Sequence, residues 1–269
     1  MRKLIINSGG STDGLRAIRE AGWDGVFTSW DPGHNYEQQQ RDIVELGLIH
    51  HSVHAPYLNI HQLWEIGEEG DEEVMCQIAC LQYAERMKVG LVILHPIIGM
   101  KRNTPTELGL ERFRRIFNAA KALGVRVALE NVEGEVYLDA LMQAFPREKH
   151  VGLCLDTGHE ICYNYGHDLT EKYGNRLFCT HFNDNMGMTG KELNFLDDSH
   201  MLPFDGIVDW QGVVSRLQKA DYKGALVFEV SKYNRPGRHD NAIYEGIRYA
   251  DFVKLAHERA VRLAGLLGD

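Results

Sequence analysis

Short β-branched runs alternate with helical stretches eight times along this chain, and no other feature limits its fold as strongly. The runs read as strands near Lys3–Asn7, Gly25–Thr28, Leu48–His54, Leu91–His95, Arg126–Glu130, Gly152–Asp156, Leu177–Phe182 and Ala225–Val230. Helices are expected between them near Thr12–Ala21, Tyr36–Leu46, Glu72–Lys88, Pro105–Leu123, Val136–Phe145, Asp168–Tyr173, Trp210–Ala220 and Asp240–Leu267. Strands joined by helices pair in parallel, because each helix carries the chain back across the sheet. Eight such units in 269 residues suit an α/β protein with one (β/α)₈ TIM barrel domain over residues 1–269. A doubly wound open sheet is the competitor. It would need a glycine-rich phosphate turn at a switch point, and Ser8-Gly9-Gly10 is too short to be one.

Punctuation along the chain agrees with this reading. Gly22, Gly47, Gly90 and Gly124 each follow a predicted helix, where a left-handed cap is expected. Thr104 is expected to cap the fourth helix, with Pro105 at its first position. Two connections exceed what a plain barrel needs, one from Pro56 to Asp71 and one from Asn183 to Val208. Long loops after strands gather at the C-terminal mouth of a barrel. The second carries Gly187 and Gly190 and is expected to act as a mobile lid.

Composition narrows the class of protein. Hydrophobic residues make up 44% and charged residues 25%, as in ordinary globular chains. No apolar run approaches the roughly 20 residues that span a bilayer. The N-terminus lacks the apolar region of about 7–15 residues that a signal peptide needs. Five cysteines, an odd number without framework spacing, suit a reducing cytoplasm, which is the expected location. A net charge of −9 argues against generic binding to nucleic acid or anionic membrane.

The chemistry is concentrated at strand ends. The third to eighth strands finish on His54, His95, Glu130, Asp156, His181 and Glu229. Inward-facing strand ends of a barrel point at one centre, so these six are expected to converge. A lone histidine there is usually a hydrogen-bonded structural residue, and Asp156 before Thr157-Gly158 also suits a helix N-cap. Glu130 and Glu229 are harder to explain that way, because each ends an apolar run and an unpaired buried carboxylate costs several kcal/mol. Mixed imidazole and carboxylate donors suit Zn²⁺, Mn²⁺, Fe²⁺ or Co²⁺. Two residues earlier on each strand stand Ser52, Ile93, Ala128, Cys154, Cys179 and Val227, which are expected to form the packed layer beneath. That makes Cys154 and Cys179 core thiols, and Cys76 and Cys80 a helix packing face.

The strand endings His54-Ala55-Pro56-Tyr57, Glu130-Asn131-Val132, Asp156-Thr157-Gly158-His159, His181-Phe182-Asn183-Asp184 and Glu229 resemble the xylose-isomerase-like barrel superfamily. The resemblance runs from about residue 48 to residue 230 and is specific to the superfamily rather than to a substrate. Its epimerase branch implies one divalent metal on Glu130, Asp156, His181 and Glu229, with His159 holding substrate oxygens. Its endonuclease IV branch has three zinc ions, and the additional ligands match His54, His95, His159, Asp198 and His200. The epimerase branch also has an arginine where Gly187 stands here, which puts substrate contacts carried over from it in doubt.

The resemblance implies a metal-dependent isomerase or epimerase acting on a small sugar, polyol or sugar phosphate through an enediolate. Glu130 and Glu229 would be its acid–base pair, with His159 orienting a substrate oxygen. One tightly bound metal is expected, with a second on His159, Asp198 and His200. An apurinic endonuclease or phosphodiesterase is the alternative, and a non-catalytic sugar-binding barrel a third reading. Glu65, Glu68, Glu69, Asp71, Glu72 and Glu73 are expected to form an acidic rim that repels DNA. Trp30, Tyr57, Trp64 and Phe204 are candidates for an apolar wall, and Lys101, Arg102, Lys191, Lys232, Arg235 and Arg238 for cations near the mouth.

Overall fold

The computed structural model describes residues 2–8, 10–99 and 104–268, so Lys101 and Arg102 lie outside the described residues. Among these, eight strands form one parallel sheet: β1 (Leu4–Asn7), β2 (Gly25–Ser29), β3 (Ile49–His54), β4 (Leu91–Leu94), β5 (Arg126–Glu130), β6 (Val151–Asp156), β7 (Leu177–His181) and β8 (Leu226–Phe228). From β1 to β7 each strand pairs with its sequence neighbour, and β1 also pairs with β8. Between β7 and β8 the sheet is stitched by a parallel bridge of Phe182 with Phe228. Phe182 N–H donates to the Val227 carbonyl at 2.8 Å, and Glu229 N–H donates to the Phe182 carbonyl at 3.2 Å. The result is a nearly closed (β/α)₈ barrel.

Helices α1 (Thr12–Ala21), α2 (Glu37–Glu45), α3 (Glu69–Arg86), α4 (Glu107–Leu123), α5 (Glu135–Ala144), α6 (Thr157–Cys162), α7 (Leu169–Tyr173), α8 (Trp210–Lys219) and α9 (Tyr249–Leu266) fill the connections. Two apolar shells lie between strands and helices, while a third cluster fills the barrel itself. That interior cluster contains Ile93, Ala128, Cys154, Cys179 and Val227, with Ile5, Phe27 and Leu91, and Ser52 is fully buried as well. The layer expected from strand alternation is therefore the layer found. Cys80 is buried on α3, and Cys76 packs partly against the same shell. No helix among the described residues is long and apolar enough to cross a membrane.

Local expectations fail where another donor or a distant contact wins. The cap of α4 is Thr106, not Thr104, because the Thr106 hydroxyl both accepts from Gly109 N–H and donates to the Trp64 carbonyl. Gly90 is not a left-handed cap; Lys88 takes that conformation with φ 60°. The last predicted helix is broken, with a short 3₁₀ turn at Asp240–Tyr244 ahead of α9. Helix α6 is an extra turn placed directly behind β6, and it carries His159 into the barrel mouth.

Candidate metal centre

Four strands and the turn α6 deliver the site. Glu130 ends β5, Asp156 ends β6 and His181 ends β7, all fully buried, while Glu229 follows β8 immediately. One donor atom from each of these four lies within 4.8 Å of the others. His181 Nδ1 sits 2.8 Å from Glu130 Oε1 and 2.9 Å from Glu229 Oε2, with its ring stacked on Phe27 at 4.7 Å between centroids. Three further groups meet the same limit: His54, His95 and Glu130 on one side, His159, Asp198 and His200 on the other, and the core thiols Cys154 and Cys179 with His181. Every candidate ligand named from the sequence is thus brought into one mouth.

The histidines are held in the manner of metal ligands. His54 Nδ1 faces the Ala55 carbonyl at 2.8 Å, His159 Nδ1 the Asn131 carbonyl at 2.9 Å, and His200 Nδ1 the Glu229 carbonyl at 3.0 Å. A backbone carbonyl only accepts, so each of these rings donates from Nδ1 and leaves Nε2, on the inward side, to carry a proton or bind a metal ion. Those Nε2 atoms face carboxylate oxygens: His54 to Glu130 at 3.1 Å, His159 to Asp198 at 3.5 Å and His200 to Asp198 at 2.9 Å. Two lone pairs at that range repel unless a proton or a metal ion lies between them. The donor set therefore fits a divalent cation.

Titration behaviour carries the same message. Burial, opposed by His159 and aided by Glu130, pushes Asp156 up to about 7. Burial would lower His159 and His181, but the carboxylates beside them hold both well above the usual imidazole range. Glu229 is brought down to about 2 because His181 outweighs its burial. His54 and His95 both lie 3.1 Å from the same Glu130 oxygen, yet His54 is raised while burial wins at His95 and lowers it. Protons here serve as stand-ins for positive charge that the donor set lacks.

Asparagines brace the frame. Asn131 exchanges hydrogen bonds with the Asp156 backbone at 2.7 and 2.9 Å, and Asn183 Nδ2 donates to Asp156 Oδ2 at 2.7 Å. Asp156 Oδ1 also accepts from His159 N–H at 2.7 Å, so the N-cap and candidate-ligand roles coincide in one side chain. Gly158 has to lack a side chain, because a Cβ there would collide with the Asn183 amide oxygen. Asn131 stands directly after Glu130 and Asn183 two residues after His181, the one signal in the sequence that would have singled them out.

A cavity of about 250 Å³ opens over the centre, lined by His54, His95, His159, Asp198, His200 and Glu229. Its wall differs from the expected one. Tyr57 is present, joined by Tyr163, Phe195 and Ile98. Trp64 is instead sandwiched with Phe113 and Tyr137, Trp30 lies near Tyr83, and Phe204 packs on Trp210. Glu133, which sequence reasoning missed, also lines the cavity, with Oε1 accepting Gly99 N–H at 2.5 Å. Among the described candidate cations only Arg235 reaches the cavity; Arg238 pairs with Asp197, Lys232 donates to the Ile247 carbonyl and Lys191 is exposed.

The two long loops are anchored. Arg112 is buried and donates to the Glu65 and Gly67 carbonyls at 2.6 and 2.7 Å, pinning the loop after β3. Asp71 is paired with Arg112 and Arg115, and Glu73 is buried against Gln77, so the expected acidic rim is partly neutralised and turned away from the cavity. In the loop after β7, buried Asp184 accepts from Phe204 N–H, Val208 N–H and the Trp210 indole at 2.8–3.0 Å. These bonds tie both ends of the segment expected to be a lid.

The barrel and its mouth can be set beside known proteins. The protein y4fM of Sinorhizobium fredii (strain NBRC 101917 / NGR234), itself described as uncharacterized, is 27% identical over 91% of this chain and 90% of its own length. Among solved structures, the IolI protein with a bound zinc atom superposes with a TM-score of 0.74 over 98% of both chains at 17% identity. A D-allulose 3-epimerase from Methylomonas sp., in complex with D-allulose, gives 0.74 over 97% of both chains at 16% identity. At such identities these likenesses speak for the fold. A sequence profile matches residues 15–251, nearly the whole barrel, and by that match the chain belongs to the xylose isomerase-like TIM barrel family.

Proposed function

We propose that the protein is a divalent-metal-dependent isomerase or epimerase acting on a small sugar, polyol or sugar phosphate. The observation that supports this most is the set of carbonyl-anchored histidines whose inward nitrogens face carboxylates, beneath a cavity small enough for one sugar-sized molecule. Glu130, Asp156, His181 and Glu229 would hold the ion, which supplies Lewis-acid polarisation of a carbonyl and its neighbouring hydroxyl.

For proton transfer, the burial of Glu130 favours a different pair from the Glu130–Glu229 pair expected from the sequence. Both Glu130 oxygens are engaged, Oε2 with His54 and His95 and Oε1 with His181, and the side chain is fully buried. Glu130 is also absent from the cavity lining, so it would serve as a ligand only. Glu229 is 22% exposed and lines the cavity, which fits a base that takes a carbon-bound proton. Glu133, on the loop after β5, lines the same cavity three strands round the barrel from Glu229 and belongs to none of the four ligand groups. It is the second acid–base group. His159 would orient a substrate oxygen, as expected, unless it is itself a ligand of a second ion.

One observation favours a second reading, hydrolysis of a phosphoester at a multinuclear centre. Glu130 is shared between two ligand groups, and the His159–Asp198–His200 group lies beside them. Divalent ions bridged by a carboxylate suit phosphoryl chemistry. Metal analysis followed by incubation with ketoses and sugar phosphates in deuterated water separates the two. Solvent deuterium at a sugar carbon supports the isomerase. Three metal equivalents with cleavage of abasic DNA, and no exchange, would replace it by the hydrolase.

A further inference from the structure

A second cavity of about 340 Å³ adjoins the first, and Glu229, His200 and Arg235 line both. Its other walls come from Asn7, Ser199 and the segment 230–236, so Arg235 is its cation and Glu229 its carboxylate. Arg235 is held rigidly. Its Nη2 donates to Asp198 Oδ2 at 2.6 Å and its Nε to the Asp198 carbonyl. A guanidinium has five N–H donors, and these bonds use two. The Nη1 edge has no partner among the described residues, and the side chain is 36% exposed. The loop beneath is fixed too, with Ser231 N–H donating to the His200 carbonyl and Asn241 N–H to Asn234 Oδ1, each at 2.8 Å.

We propose that this second cavity is an anion subsite, and that the substrate is a sugar with a terminal oxyanion bound by the free edge of Arg235. The inference rests on the isomerase reading and narrows its substrate class to a phosphate ester or a sugar acid. The carbonyl end lies in the first cavity and the chain passes Glu229 into the second. A fixed, half-exposed guanidinium with an unused fork edge suits an oxyanion, which it can grip with two parallel N–H bonds. Glu229 and Asp198 flank Arg235, so the oxyanion binds only after metal has offset their charge.

Calorimetric titration of the metal-loaded protein tests this with two matched pairs: D-ribulose against D-ribulose 5-phosphate, and D-glucose against D-glucuronate. At least one charged partner is expected to bind about tenfold or more tightly than its neutral counterpart. Which pair shows the gain distinguishes phosphate from carboxylate. Arg235→Gln should bring that ratio close to one and leave the neutral sugar within about threefold of wild type. Ser231 lines the second cavity and bonds to His200 and Tyr233 rather than to Arg235 or Asp198, so Ser231→Leu should narrow that cavity and weaken the charged sugar alone. Metal content is measured in each variant; if Arg235→Gln loses metal, the Ser231→Leu comparison decides. Equal affinity within both pairs, no binding by any of the four, or equal weakening of charged and neutral sugars in a metal-replete variant would overturn the subsite. A charged sugar that binds through Arg235 yet exchanges no solvent deuterium would leave the subsite standing and sink the isomerase reading.

Discussion

Glu130 and Glu133 stand three residues apart, yet their surroundings give them different work. Glu130 is fully buried among three imidazoles, whereas Glu133 faces the cavity with one oxygen held by Gly99. Glu130→Gln is therefore expected to lose bound metal, because an amide cannot offset the ion's charge. Glu133→Gln should keep its metal and lose turnover by about 10²–10⁴-fold, the usual reach of general acid–base catalysis. Metal content and initial rates of the two variants check this; wild-type turnover in Glu133→Gln would remove it from the mechanism. Asp156 adds a pH prediction. With its pKa near 7 in the metal-free protein, it holds a proton below that pH which an incoming cation has to displace. His159, raised well above its usual range, has the same sign. Metal affinity should thus rise from about pH 6 to about pH 8, with protons released into the buffer on uptake. Titrations in buffers of different ionisation enthalpy measure the release, and an affinity that does not change over this range contradicts it.

At the scale of elements, strand ends were legible and loops were not. A strand repeats every two residues, so finding that Glu130 faces inward also places Ala128 inward beneath it, and the barrel layer followed from counting. Loop geometry depends on contacts far away in sequence. Asp184 looked like one more polar residue in a long lid, but its carboxylate gathers donors from Phe204, Val208 and Trp210. Glycines at 187 and 190 suggested mobility, and the bonds to Asp184 fix the two ends between which they lie. Glu133 escaped notice for the same reason: only the fold shows that it lines the cavity. Arg112 is another such case, buried on α4 to hold carbonyls of a loop more than 40 residues earlier. Asp184→Ala would strand four donors, Asn185 N–H among them, each costing about 1–3 kcal/mol when left unpaired. The variant is expected to lose at least about 3 kcal/mol of stability and to become protease-sensitive within 183–208. Urea denaturation and limited proteolysis report both, and a wild-type midpoint with unchanged cleavage would show that Asp184 does not anchor the loop.

For the whole molecule, the barrel gathers carboxylates and histidines from six strand ends and two loops into one mouth of a chain with net charge −9. Concentrating Glu130, Asp156, Asp198 and Glu229 there works against folding unless positive charge is bound with them. Metal should accordingly stabilise the folded state by mass action, and chelation should lower the melting temperature. His159→Ala and Asp198→Ala should each abolish a weaker second equivalent and spare the first. The measurement closest to the central claim is calorimetric titration of chelator-stripped protein with Zn²⁺ and Mn²⁺, wild type beside His181→Ala. His181 is buried between Glu130 and Glu229 and belongs to the main quartet. The wild type should show a tight first equivalent that is absent from His181→Ala, with circular dichroism confirming a folded variant. A wild type that takes up no tight equivalent, or a folded His181→Ala that binds as tightly, would contradict a metal centre at these residues and the function built on it.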